Sequence, residues 1–280
     1  MFDASSPFEP PAPSIETIRA NGGVAASWRL DEQTTRLVSL EERGGWRAKF
    51  PEPDPHVEAV LINTGGGILG GDRAQFSFVV GDGAHVTAAT QSAERIYRTL
   101  GPRSEIATRA TLGADAHFAW MPQETILFNG ARLARSLDID LPASATLLAA
   151  ECIVFGRAAM GETIRAGSIT DNWRVRRDGQ LVFAEATKIG GDMAAQLARP
   201  AIGNGAVAVA TLLYVNPDAE SRLDGARAAL GQPMGRAALS AWNGFLVARF
   251  TALSSAHIRA DIIRIATYLS GRSMPRVWNC

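Results

Sequence analysis

The sequence predicts a mainly β protein: an elongated layered or helix-like antiparallel/mixed β architecture, with a few α-helices in the C-terminal third. Three observations carry this. Apolar residues recur with period two, not 3.6, from the Pro-rich Phe50–His56 stretch to about Ile189. Tight-turn chemistry interrupts that pattern about every 30 residues. Beyond Ala206 the pattern changes, and helical spacing appears.

Met1–Ser14 is rich in Pro and Ser and has little to pack, so it is expected to be a loose arm on a single domain of residues 1–280. Phe50–His56 reads as a rigid loop, because each Pro fixes φ and removes a donor. Phe76, Phe78 and Val80 then alternate, Gly81-Asp82-Gly83 turns, and Val86–Thr90 resume. The same sequence of events recurs around Gly113-Ala114-Asp115, Pro142-Ala143-Ser144 and Arg177-Asp178-Gly179. These four units read as hairpins; their spacing also fits stacked coils of a solenoid, although they share no residue pattern. Ala206–Val215 reads as a buried strand, Pro217–Leu230 as a helix stopped by Gly231, and Gly244–Leu253 as a strand. Ser255–Leu269 is the clearest helix. Ile258, Ile262, Ile265 and Leu269 line one face, Ser255 is available as a cap, and Gly271 follows.

Composition narrows the function. The 280 residues carry 28 Lys plus Arg and 28 Asp plus Glu, a net charge of +0, which argues against a nucleic-acid binder. No apolar run reaches the roughly 20 residues of a membrane span, and the N-terminus has no signal-peptide pattern. Cys152 and Cys280 make neither a disulfide framework nor a zinc site, so the expected compartment is the reducing cytoplasm.

The string NTGGGILGGDR, Asn63–Arg73, contains G-x-G-x-x-G at Gly65, Gly67 and Gly70. A dinucleotide fingerprint must open a helix, whereas these glycines lead through Asp72 into an alternating strand, so a close-packed turn is the better reading. No P-loop, G-x-S-x-G or H-E-x-x-H is present. The four histidines, His56, His85, His117 and His257, have no metal-ligand spacing. Glu124, Glu151 and Glu162 stand out because each interrupts a largely apolar run. A carboxylate so placed must be hydrogen-bonded, ion-paired, hydrated or protonated. Arg98, Arg157 and Arg165 are the candidate ion-pair partners. The alternatives are the wall of a polar cavity or a glycosidase-like acid/base pair served by some of the six Trp.

An ordered set of strings then resembles the UreD (UreH) urease accessory protein family. It comprises NTGGGILGGDR, QSAERIYRT ending at Thr99, WMPQETILFNGA (Trp120–Ala131), GRAAMGE (Gly156–Glu162), WRVRRDGQLV (Trp173–Val182) and MPRVW (Met274–Trp278). Thr64 departs from the pattern, standing where a proline is expected, with the expected effect of loosening the turn. The resemblance implies a non-enzymatic maturation factor with a mostly β, elongated fold. It further implies binding to apo-urease with UreF and the GTPase UreG, commonly as a dimer of UreD–UreF heterodimers. No tightly bound cofactor is implied; nickel is cargo in transit, in family models through an internal tunnel. Weak oxygen ligands suit transit better than imidazole or thiolate, which hold late first-row metals tightly. Asp72, Glu124, Glu151 and Glu162 are the candidate path residues. Arg98 and Arg157 are expected in ion pairs. Ile258, Ile262 and Trp278, on the last helix and tail, are candidate UreF contacts, with cover for the protein's own sheet as the alternative.

Overall fold

The computed structural model describes residues 19–51, 56–157 and 160–279. The expected arm Met1–Ser14, part of the Phe50–His56 loop and Cys280 lie outside them. Seventeen strands form two sheets. In chain order they are β1 (Asn21–Asp31), β2 (Thr34–Arg43), β3 (Trp46–Lys49), β4 (Val57–Asn63), β5 (Arg73–Val80) and β6 (His85–Thr90). Next come β7 (Glu94–Ile96), β8 (Ser104–Leu112), β9 (His117–Trp120), β10 (Thr125–Leu127), β11 (Arg132–Leu141) and β12 (Thr146–Phe155). The last are β13 (Ser168–Arg177), β14 (Gln180–Gly190), β15 (Ala208–Val215), β16 (Arg236–Trp242) and β17 (Phe245–Ala252). Among the described residues there are three α-helices, α1 (Met193–Ala198), α2 (Leu223–Leu230) and α3 (Ser255–Ser270), and a short 3-10 turn at Arg276–Trp278.

One sheet runs β14-β13-β11-β8-β5-β1-β2, the other β16-β17-β15-β12-β9-β6-β4-β3. The middle of each is parallel, β1-β5-β8-β11-β13 in the first and β4-β6-β9-β12 in the second, with antiparallel strands added at the edges. This corrects the hairpin reading. Only Arg177-Asp178-Gly179 joins paired neighbours, β13 and β14. The other three turns carry the chain from one sheet to the other, so each coil stacks on the previous one as in a solenoid. Sequence alternation is the same in both arrangements, because each strand buries one face either way. The three turns also stack: Gly83 N donates to Ala114 O (2.8 Å), Ala114 N to Asp82 Oδ1 (2.8 Å) and Asp115 N to Ser144 Oγ (3.0 Å). Ala84, Ala116 and Ala145 fill the inside of the corner, where a larger side chain would not fit.

Two cores follow. Between the sheets, Trp28, Phe76, Phe78, Phe118 and Trp120 interlock, with ring centroids 5.6–5.9 Å apart. On the outer face of the second sheet, α3 covers β12, β15 and β17, and α2 packs against α3 and β16. Strand β12 is therefore buried on both faces, which explains its nearly unbroken apolar run Thr146–Phe155. Ile258, Ile262 and Trp278 belong to this second core, 1%, 0% and 3% exposed. They cover the protein's own sheet and offer no surface, which replaces the expected partner contact at these positions. Full burial of such a side chain is worth about 1.5–3 kcal/mol.

The helix boundaries also differ from the sequence reading. The α2 helix starts at Leu223 rather than Pro217, because Asn216 and Asp218 form a turn: Asn216 Oδ1 accepts from Asp218 N, and Asp218 accepts from Tyr214 and Arg222. Ser254, not Ser255, occupies the cap position of α3, and Gly271 ends that helix in the left-handed region (φ 64°). The short α1 and strand β16 went unread in the sequence.

Candidate functional site

Among the described residues, fully buried charged side chains on the inward faces of the two sheets gather at one place. On β11, Leu133, Leu137 and Ile139 point inward, and Arg135 shares their phase. Its register partner on β13 is Asp171, in phase with Ile169, Trp173 and Val175. From the facing sheet, β12 presents Glu151. The three are 5%, 7% and 4% exposed.

Arg135 donates through Nε and Nη2 to both Asp171 oxygens (3.0 and 2.6 Å) and through Nη1 to Thr125 Oγ1 (3.1 Å). Glu151 Oε1 accepts from Trp120 Nε1 at 2.8 Å. Its Oε2 lies 3.1 Å from Arg135 Nε, whose hydrogen is directed to Asp171, so Oε2 is held by charge without a hydrogen bond of its own. With all three groups ionised the centre has one negative charge in excess. Burial opposes the Arg135 charge, but Asp171 and Glu151 outweigh it and raise its pKa. Burial also raises the Glu151 pKa, with Asp171 adding to the rise and Arg135 opposing it. In the geometry, Asp171 takes two of the guanidinium's hydrogen bonds, and Glu151 is left facing it by charge alone.

The other carboxylates singled out in the sequence do not join this centre. Glu162 is gripped by Arg157 (2.9 and 3.1 Å) and accepts from the amides of Asn129 and Arg157; the arginine bond above all holds its pKa below the usual carboxylate range. Glu124 lies 3.6 Å from Arg259. Arg259 also donates to Gln123 and to Val277 O and sits over the Trp278 ring. Asp72 accepts from Ala20 N and Leu69 N, closing the glycine-rich turn. Arg98 makes no ion pair among the described residues; its stem lies against Gly130.

The glycine-rich string is a packed turn leading into β5, not into a helix. A Cβ on Gly67 would lie 2.3 Å from the Tyr97 ring, and one on Gly70 2.0 Å from Thr99 Oγ1. Thr64 does not loosen it: its N–H and hydroxyl both donate to Gly45 O at 2.8 Å, where a proline would have no N–H to give. Behind the turn, Asn63 Nδ2 donates to Glu94 (2.9 Å), whose pKa burial pushes up to about 7.

Sequence reading missed two features. Arg135 and Asp171 were detectable as opposite charges in phase with inward apolar residues. The second is a histidine ladder. His85 pairs in register with His117, and His56 precedes Val57, the partner of Val86; the His85 and His117 rings stack at 4.1 Å, and the His56 ring lies 4.5 Å from His85, tilted by 52°, beside a cavity of ≈ 370 Å³. Their spacing of about 30 residues is that of the coils, the period at which to look. The stacked His85 and His117 rings direct their in-plane lone pairs nearly in parallel, not to one point. Among the described residues no group of three or more His, Cys, Asp or Glu converges as a metal site. Burial, then the neighbouring cationic groups, lowers the His85 pKa to about 4. Glu151 and Asp171 share Arg135 between the two sheets and do not face a cleft.

Fold and site together define a two-sheet β-solenoid-like body with a buried polar centre of two carboxyl groups around one guanidinium. The chain belongs to the UreD urease accessory protein family, whose model matches residues 20–279. It is 45% identical over 275 residues to urease accessory protein UreD 3 of Bradyrhizobium sp. (strain BTAi1 / ATCC BAA-1182), covering 98% of this chain and 99% of that protein. It is 48% identical over 254 residues to urease accessory protein UreD of Methylobacterium sp. (strain 4-46), covering 88% and 89%. With the protein of the same name from Rhodopseudomonas palustris (strain BisB18) it shares 45% identity over 261 residues, 93% and 94% of the two chains.

Proposed function

We propose that this chain is a non-enzymatic, cytoplasmic maturation factor that binds apo-urease with UreF and UreG and assists insertion of nickel into the urease active site. The match to the UreD family along nearly the whole described chain carries this reading. The donor chemistry supports it. Separate carboxylates, each matched to an arginine or to backbone amides, offer a divalent cation weak and exchangeable oxygen ligands, and transit needs release as much as capture. Among the four candidate path residues, Glu151 suits this role best, because it is a surplus buried carboxylate with one oxygen that accepts no hydrogen bond. Asp72, Glu124 and Glu162 stay in the proposed path as residues nearer the surface. The working assembly is a dimer of UreD–UreF heterodimers.

Co-expression tests the reading. Urease made with UreF, UreG and this chain should contain nickel, and urease made without this chain should not; fully metallated urease in its absence refutes the role. Glu151→Gln and Glu162→Ala, each first shown to fold and to bind UreF, should lower the nickel content of urease. Normal loading in either variant removes that residue from the path.

A further inference from the structure

The loops of three successive coils meet at one end of the molecule. Thr99 N donates to Gly130 O (3.1 Å), Gly130 N to Ala166 O (2.8 Å), Arg165 N to Asn129 Oδ1 (2.9 Å) and Arg132 Nη1 to Gly101 O (3.1 Å). They enclose a cavity of ≈ 500 Å³ whose wall includes Arg98, Arg132, Thr99, Asn129 and Ser168 and no carboxylate. Arg165 adjoins it through Asn129. Arg19 extends the same surface, its stem against Gly71 and its Nε buried without an acceptor.

None of these four arginines forms an ion pair among the described residues. The carboxylates nearby are already engaged. Glu162 is held by Arg157, Glu105 by Arg73 and Arg103, and Asp72 spends both oxygens on backbone amides. In a chain of zero net charge this is a local excess of positive charge, and no carboxylate among the described residues pairs with it. At its lip Leu100 is 89% exposed.

We infer that this end is a docking surface for an acidic protein partner, one that sets carboxylates against Arg98 and Arg132 and gives Leu100 an apolar seat. Exposed arginines around an open cavity suit a polypeptide more than a free anion, which needs buried donors to hold it. Arginine is enriched in interface hot spots, and complementary charge sets encounter and register. The inference rests on the accessory role proposed above, and its test separates the two.

The full chain is assayed against separately purified UreF, UreG and apo-urease at about 0.1 M and about 1 M salt, between which the screening length falls from about 10 Å to about 3 Å. At least one partner should bind at the lower salt and weaken at the higher. Arg98→Glu/Arg132→Glu should weaken that partner about tenfold or more, with an unchanged circular dichroism spectrum and melting temperature. Leu100→Asp should weaken the same partner. Should the charge reversal disturb folding, the neutral pair Arg98→Gln/Arg132→Gln serves in its place. Unchanged affinity for every partner overturns the surface assignment and leaves the accessory role standing. Saturable calorimetric binding of inorganic phosphate, abolished by the reversal while protein binding persists, also overturns it, in favour of a small-anion site. If the wild-type chain binds none of the three proteins, both readings fall.

Discussion

Replacing Arg135 by Met removes the only cation of the buried centre and retains an apolar stem of similar length. The variant loses the two bonds to Asp171, the bond to Thr125 Oγ1 and the charge facing Glu151. Two carboxylates, each less than a tenth exposed, are left without a counter-charge. Breaking a buried pair in this way costs about 3–5 kcal/mol, a large part of a typical total of about 5–15 kcal/mol. Asp171→Asn should approach the same cost, because it removes the other half of the bidentate pair. Glu151→Gln should differ sharply. It deletes the surplus negative charge, keeps an oxygen for the Trp120 indole, and should stay within about 1 kcal/mol of wild type. Urea unfolding followed by tryptophan fluorescence, at about pH 6 and about pH 8, measures all three. A raised Glu151 pKa means the native state keeps a proton that the unfolded chain releases. The stability it contributes is therefore complete at low pH and lost as pH climbs through the elevated value; Glu151→Gln should flatten that part of the pH dependence. An Arg135→Met variant that unfolds at the wild-type midpoint, or a Glu151→Gln variant as damaged as it, would refute the charge accounting. The mildness expected of Glu151→Gln also makes it the cleanest variant for the nickel-loading test.

Three further outcomes are expected. The His85 pKa is depressed to about 4, so the unfolded chain takes up a proton that the native ladder refuses, and stability should decline as pH falls from about 6.5 to about 4; His85→Phe should lessen that decline in a melting series across this window. Trp278→Ala removes the bond from Nε1 to Met121 O (2.8 Å) and a core side chain, and should cost about 3–5 kcal/mol in denaturant unfolding. Gly23→Ala would place a Cβ 1.8 Å from Gln75 O in the β1–β5 pairing, at φ 154°, and should abolish soluble expression or lower the melting temperature by several degrees.

Much of the architecture could be read from residue order. Alternation in Phe76–Val80 and the Asp-Gly turns gave the strands, and the isoleucines of α3 gave the helix and its buried face. Two-residue periodicity cannot say which sheet a strand joins, so the crossings at Gly81, Gly113 and Pro142 looked like hairpins. The ambiguity is physical, since a strand with one buried face has the same pattern beside an antiparallel or a parallel neighbour. Glu151 was visible because it interrupts an apolar run. Arg135 was hidden in the polar-looking stretch RLARSLDID, where only its phase with Leu133 and Leu137 betrays burial. The histidines escaped because their neighbourhood is made by coil stacking, far outside helical spacing.

The indole of Trp278 closes the hydrogen-bonding of Met121, 157 positions earlier, and Gln123 and Arg259 fasten to the carbonyl of Val277 beside it. A polypeptide in which Pro275–Trp278 has not reached its seat leaves the seam beside α3 open. A product cut short before that segment would carry an exposed apolar gap by which proteases and chaperones distinguish it from the intact fold.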